Sequence, residues 1–240
     1  MNKEKEYIQN ILLEITPLNV FLENAVYSSP SSEHNYLNLL NDMDAWIVKI
    51  NSLIRKTNLS ISHALINCES IAKYNPFERS ESKDIAYYFV ENAIFRISCL
   101  WDVYAQLCNL VFNTEKKVNQ IHYKKYFNIK QNKVFEKDLV KIQKRVSKYI
   151  NEQDKIKDDY AYWEGNHNYV SNIRNRFTHR NDPHIFTMLN YNGGDFVIPD
   201  PPLYELKRII EDYYTCYKFI KELYERVLNK YPDVPPLFKQ

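Results

Sequence analysis

Apolar residues recur every three or four positions along most of this chain, and few stretches alternate. Ile8, Ile11, Leu12, Ile15, Leu18, Leu22 and Val26 mark a first helix over 3–27, bent at Pro17 and broken by Ser28-Ser29-Pro30-Ser31-Ser32. Leu37, Leu40, Met43, Trp46, Ile47, Ile50 and Ile54 mark a second over 33–57, and a third follows over 59–74, ending before Asn75-Pro76. The longest helix is predicted over 81–113, entered through Ser80 or Ser82 as a cap with acidic residues in the first turn. It is apolar on most sides. At 100° per residue, Glu91, Ser98, Asp102 and Asn109 fall within about 40° of one another, so one narrow polar stripe runs along an otherwise buried cylinder. That pattern places the helix at the centre of a bundle.

Downstream, a short helix near 116–127 and a longer one near 134–150 are expected, then one over 154–180 with Trp163 and Gly165 marking a kink or break. Arg180-Asn181-Asp182-Pro183 ends it, because the residue before a proline avoids helical geometry. Residues 185–198 alternate loosely around Asn192-Gly193-Gly194, which suits one small β-hairpin. Pro201-Pro202 opens a final amphipathic helix over 202–230, with Leu206, Ile209, Ile210, Tyr213, Tyr217, Ile220 and Leu223 on its apolar side. With only 3 glycines in 240 residues, a strand-and-turn architecture is disfavoured, and the expected class is all-α. No repeat, low-complexity tract or interdomain linker interrupts the chain, so residues 1–240 are expected to form a single helical domain, with the helices of 1–80 as an extension of the bundle.

Net charge changes the picture only through its distribution. The formal total is +2, yet residues 116–148 carry eleven Lys and Arg against Glu136 and Asp138, an excess of nine that leaves the remainder at −7. Tyr123, Tyr126, Phe127 and Phe135 are interleaved with these cations, a composition suited to tracking a phosphate backbone and stacking bases; a solvated helix face is the plain alternative. Lys137, Lys141, Lys144 and Lys148 are the substrate-binding candidates here. Cys68, Cys99, Cys108 and Cys216 never form Cys-x-x-Cys, and three of them sit among apolar neighbours as expected buried thiols. His34, His63, His122, His167 and His184 show no His-x-x-x-His pairing, and the expectation is no metal ligands and no cofactor. The opening Met-Asn-Lys-Glu-Lys-Glu lacks the order of a secretory signal, and Glu91, Arg96 and Asp102 interrupt the most apolar stretch, so a cytoplasmic protein without membrane association is expected.

The chemistry concentrates in Arg174-Asn175-Arg176-Phe177-Thr178-His179. Arginine is a permanent cation with a planar fork of donors suited to phosphate oxygens, and histidine moves a proton either way near neutral pH. Arg174, Asn175 and His179 resemble, residue by residue, the Arg-polar-x-x-x-His motif of the HEPN superfamily, helical nucleotide- and RNA-binding domains that include many metal-independent ribonucleases. Glu91-x4-Arg96-x5-Asp102 is similar to the long helix preceding that motif in some stand-alone bacterial members. The resemblance implies an HEPN-like helical bundle and an endoribonuclease that cuts single-stranded RNA through 2′-hydroxyl attack. Arg174, Asn175 and His179 would be its catalytic residues, and a homodimer would form a composite site. A defence or stress effector, restrained by an antitoxin or regulatory protein, is the setting it suggests. Arg176 and Arg180 lie outside the family motif and are candidate substrate-binding cations. The alternatives are a non-catalytic HEPN-like module binding RNA, nucleotide or protein, and an all-α scaffold in which the hexapeptide is accidental. Five positions on a regular helix separate two residues by about 140°, so Arg174 and His179 meet only if the helix distorts between them or if two chains combine.

Overall fold

The computed structural model describes residues 2–21, 35–71, 73–133, 135–152, 164–179, 182–189 and 195–230. The protein is an all-α helical bundle. Its helices are α1 (Asn2–Glu14), α2 (Asn35–Glu69), α3 (Glu81–Val111), α4 (Tyr123–Tyr126), α5 (Lys137–Ile150), α6 (Asn166–His179) and α7 (Pro202–Lys230). A short 3-10 turn, Val118–Gln120, precedes α4. Strands β1 (Thr187–Leu189) and β2 (Asp195–Val197) pair antiparallel with Met188 opposite Phe196; the Asn192-Gly193-Gly194 turn expected between them lies outside the described residues.

Three stretches differ from the sequence pattern, one of them the short helix expected near 116–127, which is the 3-10 turn and α4 with residues 121–122 non-helical between them. The first helix stops at Glu14, and residues 15–20 are non-helical, because Pro17 both lacks an amide donor and denies helical geometry to Thr16. Residues 22–27 of the expected helix lie outside the described set. The second and third expected helices are one continuous α2. Asn58, a residue that often competes for its own backbone, is otherwise engaged: its Nδ2 donates to Ile15 O (3.2 Å) and its Oδ1 accepts from the Tyr213 hydroxyl (2.8 Å). With neither Gly nor Pro between 35 and 69, nothing ends the helix. α3 begins as expected, with Ser80 Oγ accepting from the Lys83 amide at 3.3 Å.

The residues fall into two compact units, each with its own core. The first comprises 1–15, 56–98 and 150–214. Its core joins Ile8 and Ile11 of α1, Ile61 and Leu65 of α2, Val90, Ile94 and Ile97 of α3, Val170 and Ile173 of α6, and Leu206, Ile209 and Tyr213 of α7. The second comprises 16–55, 99–149 and 215–240. There Trp101 is fully buried among Tyr104, Tyr123, Tyr149 and Phe219, with ring centroids 5.8–6.4 Å apart. Tyr123, Tyr126 and Phe127, whose spacing among lysines also suits base stacking, are buried members of this core; of that set only Phe135 is open to solvent, at 94 %. Cys68, Cys108 and Cys216 are buried and Cys99 is exposed.

The polar stripe of α3 receives other parts of the chain. Asp102 accepts from the Tyr123 amide at 3.0 Å and so fixes the start of α4. Asn109 accepts from the Lys116 amide and donates to its carbonyl, both at 3.2 Å, holding the turn that leaves α3. Glu91 reaches His184, as described below. Arg96, off the stripe, donates to Asn92 O (2.6 Å) and Asn92 Oδ1 (3.1 Å) on its own helix.

Candidate functional site

α6 presents the Arg174–His179 hexapeptide, and its start is set by Gly165. That residue has φ +77°, and a Cβ there would lie 2.3 Å from the Glu152 carbonyl oxygen, so both the backbone turn and the close approach require glycine. The break expected near Gly165 is therefore real; Trp163 and residues 153–162 lie outside the described set. Val170 and Ile173 are buried, and Phe177 places its ring 6.2 Å from Phe95 and edge-on to His184 at 4.9 Å. This edge, together with buried His167 and Ser171, seats α6 and leaves Asn172, Asn175 and Thr178 exposed.

Asn175 is exposed, while Arg174 and Arg176 are half-buried. Arg174 donates from NH1 to Asn175 Oδ1 at 3.4 Å, and its buried Nε has no hydrogen-bond partner among the described residues. Among the described residues no carboxylate forms an ion pair with Arg174 either. Thr178 Oγ1 donates to the carbonyls of Arg174 and Asn175, both at 3.2 Å, which occupies acceptors in the last turn. His179 lies in the last described turn of α6; its side chain and Arg180 lie outside what is described. The helix is unbroken from Arg174 to His179, so within one chain the two positions stay about 140° apart around the axis. The structure thus brings Arg174 and Asn175 together and does not bring Arg174 and His179 together through a break in the helix.

Five residues beyond the motif is a cluster that sequence spacing did not reveal. His184 is buried, with Nε2 2.9 Å from Glu205 Oε2, Nδ1 3.2 Å from Glu91 Oε1, and its ring stacked on Tyr87 at 4.0 Å. Its amide donates to Asp182 Oδ1 at 2.8 Å. Burial works against a charged imidazole here, but the two carboxylates outweigh it and raise the His184 pKa from 6.5 to about 9. Burial pushes the Glu205 carboxyl above the usual range, with His184 pulling the other way. We take the cluster to hold an imidazolium, because one ring faces two acids. His184, Glu91 and Asp182 line a pocket of about 400 Å³ together with Phe77, Arg79 and Lys83. Nearby, the Tyr87 hydroxyl donates to Asp200 O at 2.7 Å, and Tyr169 donates to Asp200 Oδ2 at 2.8 Å. Burial raises the pKa of both phenols, so they act as donors throughout the physiological range. The signal for His184 was absent from local spacing, since its partners lie 93 and 21 positions away.

In the second unit, α5 sorts its residues cleanly. Leu139, Ile142, Val146 and Ile150 are buried, while Lys137, Lys141, Lys144 and Lys148 are exposed at intervals of three and four, on one face. Lys141 pairs with Asp138 at 3.2 Å, and Asp138 also pairs with Arg226, which holds its carboxyl below the usual range. Lys137, Lys144 and Lys148 have no ion pair among the described residues. Replacing Lys137, Lys141, Lys144 and Lys148 with Gln is expected to weaken RNA binding and to flatten its salt dependence, since each lost phosphate contact removes one released counterion. An unchanged salt slope in a filter-binding titration would reduce the face to a solvated one.

No protein-family model, curated protein or solved structure matches the chain. Among the described residues, no helix is long and apolar enough to cross a membrane.

Proposed function

We propose that this protein is a metal-independent endoribonuclease of HEPN type, cutting single-stranded RNA at a site built from Arg174, Asn175 and His179. The observation that carries the reading is the Arg174 guanidinium, half-buried beside exposed Asn175 on the helix that carries His179, its Nε unpartnered and no carboxylate paired with it among the described residues. A cation removed from bulk water with no carboxylate partner is suited to an anionic oxygen, and its planar fork matches a phosphate.

The reaction needs three things from the protein. A base takes the proton of the 2′-hydroxyl, whose oxygen attacks the adjacent phosphorus. Cationic donors stabilise the charge on the phosphorane, and an acid protonates the 5′-oxygen as the P–O bond breaks. The products are a 2′,3′-cyclic phosphate and a 5′-hydroxyl. His179 supplies one proton transfer, Arg174 the phosphorane contact, and Asn175 an oriented amide. One copy of the motif supplies a single proton-transfer group, and its Arg174 and His179 stand far around the α6 axis from each other. Two copies related by a two-fold axis supply both sets at one cleft.

The test pairs a single-stranded RNA with its all-deoxy counterpart in excess chelator, alongside light scattering. A dimer that cuts the RNA and spares the DNA is expected. A monomer at high concentration, with or without RNA, would count against the composite site. Binding without cleavage of several RNAs would favour a module that only binds; the lysine face of α5 is the observation on that side.

A further inference from the structure

His184 is held from several directions. Glu205 takes one ring nitrogen, Glu91 faces the other, Tyr87 stacks on the ring, and Asp182 anchors the amide. Glu205 is 2 % exposed, so its carboxylate stays committed to Nε2 and fixes the orientation of the imidazole. Nδ1 and the carboxylates of Glu91 and Asp182 line the same pocket, and one donor atom from each lies within 4.8 Å of the others.

Those three groups come from α3 and from the turn after α6, and they combine imidazole with two carboxylates. A tetrahedral ion with bonds of about 2.0–2.1 Å sets neighbouring donor atoms about 3.3 Å apart. The 3.2 Å separation of His184 Nδ1 and Glu91 Oε1 fits such an edge, and an Asp182 carboxylate oxygen lies within 4.8 Å of both. A buried carboxylate on the far nitrogen of a ligating histidine is the usual support for such a ring. Three carboxylates surround one imidazole, which leaves surplus negative charge. Two cations line the pocket, and one of them is turned to backbone: Lys83 donates to the carbonyls of Asn75 (3.3 Å) and Glu78.

We propose that Glu91, Asp182 and His184 bind one divalent transition-metal cation, which displaces the His184 Nδ1 proton to solvent, with Glu205 as the positioning residue and the remaining coordination positions opening into the pocket. Mixed imidazole and carboxylate donors suit Zn²⁺ and Mn²⁺; Ca²⁺ and Mg²⁺ favour all-oxygen sets. The site is separate from the ribonuclease reading, because it uses none of the residues assigned to cleavage.

The full chain, stripped with chelator and freed of it, is titrated with ZnCl₂ and with MnCl₂ in a calorimeter. One saturable site per chain is expected for at least one of the two ions. Glu91→Gln and Asp182→Asn, at half-buried positions, should keep the circular dichroism of the wild type and weaken binding by about tenfold or more. Glu205→Gln should weaken it by about 10- to 100-fold, keep the stoichiometry of one, and shift the visible absorption of bound Co²⁺. Absence of saturable binding by either ion, or affinity unchanged in both Glu91→Gln and Asp182→Asn, would overturn the assignment.

Discussion

Replacing His179 with alanine is expected to slow RNA cleavage by about 10²- to 10⁴-fold, the range that loss of a positioned proton-transfer group produces. Arg174→Ala should lower turnover through loss of charge stabilisation on the phosphorane, by about 10²- to 10³-fold, while single-stranded RNA still binds through other cations. Neither change should unfold the protein. α6 is seated by Val170, Ile173 and Phe177, none of which is altered, and among the described residues Arg174 makes no ion pair whose loss would strand a buried carboxylate. Single-turnover rates, with circular dichroism as the control, check both expectations. Undiminished cleavage by His179→Ala would remove the mechanism even if the protein is a nuclease.

The largest effect on stability is expected at the His184–Glu205 pair. Both side chains are nearly inaccessible, so Glu205→Ala would leave an imidazolium facing only Glu91, and His184→Ala would leave a buried carboxylate unpaired. Breaking a buried pair in this way costs about 3–5 kcal/mol, which should lower the thermal midpoint by many degrees. The pair also makes stability depend on pH. Because the His184 pKa is raised from 6.5 to about 9, its contribution is fully present below pH 6.5 and is lost as pH rises through about 9. The groups facing it are Glu91 from α3, Glu205 from α7 and the uncharged ring of Tyr87, with Asp182 on its own turn. In excess chelator, the wild type should therefore lose stability between pH 6.5 and 9, and a folded His184→Gln variant should lose much less over that range. Equal slopes in the two proteins would show that His184 contributes no pH dependence between pH 6.5 and 9.

Local periodicity carried most of the architecture. The final helix begins at Pro202 and ends at Lys230, because Pro201-Pro202 punctuates a long, regular amphipathic run. α3 was legible for a related reason: so few of its positions are polar that only burial explains them. The continuous α2 was not legible, since polar Asn58 looked like an interruption until Ile15 and Tyr213 supplied its partners. Charge patterning showed the lysine face of α5 but left Tyr123, Tyr126 and Phe127 open between base stacking and core packing, and their rings are buried in the second unit's core. Within the candidate site, Arg174 and Asn175 were readable as neighbours on one helix. His184 was not, because spacing rules detect partners one helical turn apart and its carboxylates come from α3 and α7.

End-group analysis of the RNA fragments tests the central claim most directly. Wild-type protein in excess chelator is expected to leave 2′,3′-cyclic phosphate and 5′-hydroxyl termini, because the neighbouring 2′-oxygen is the nucleophile and His179 moves a proton. Fragments bearing 3′-hydroxyl and 5′-phosphate termini, or RNA that is bound and never cut, would contradict it.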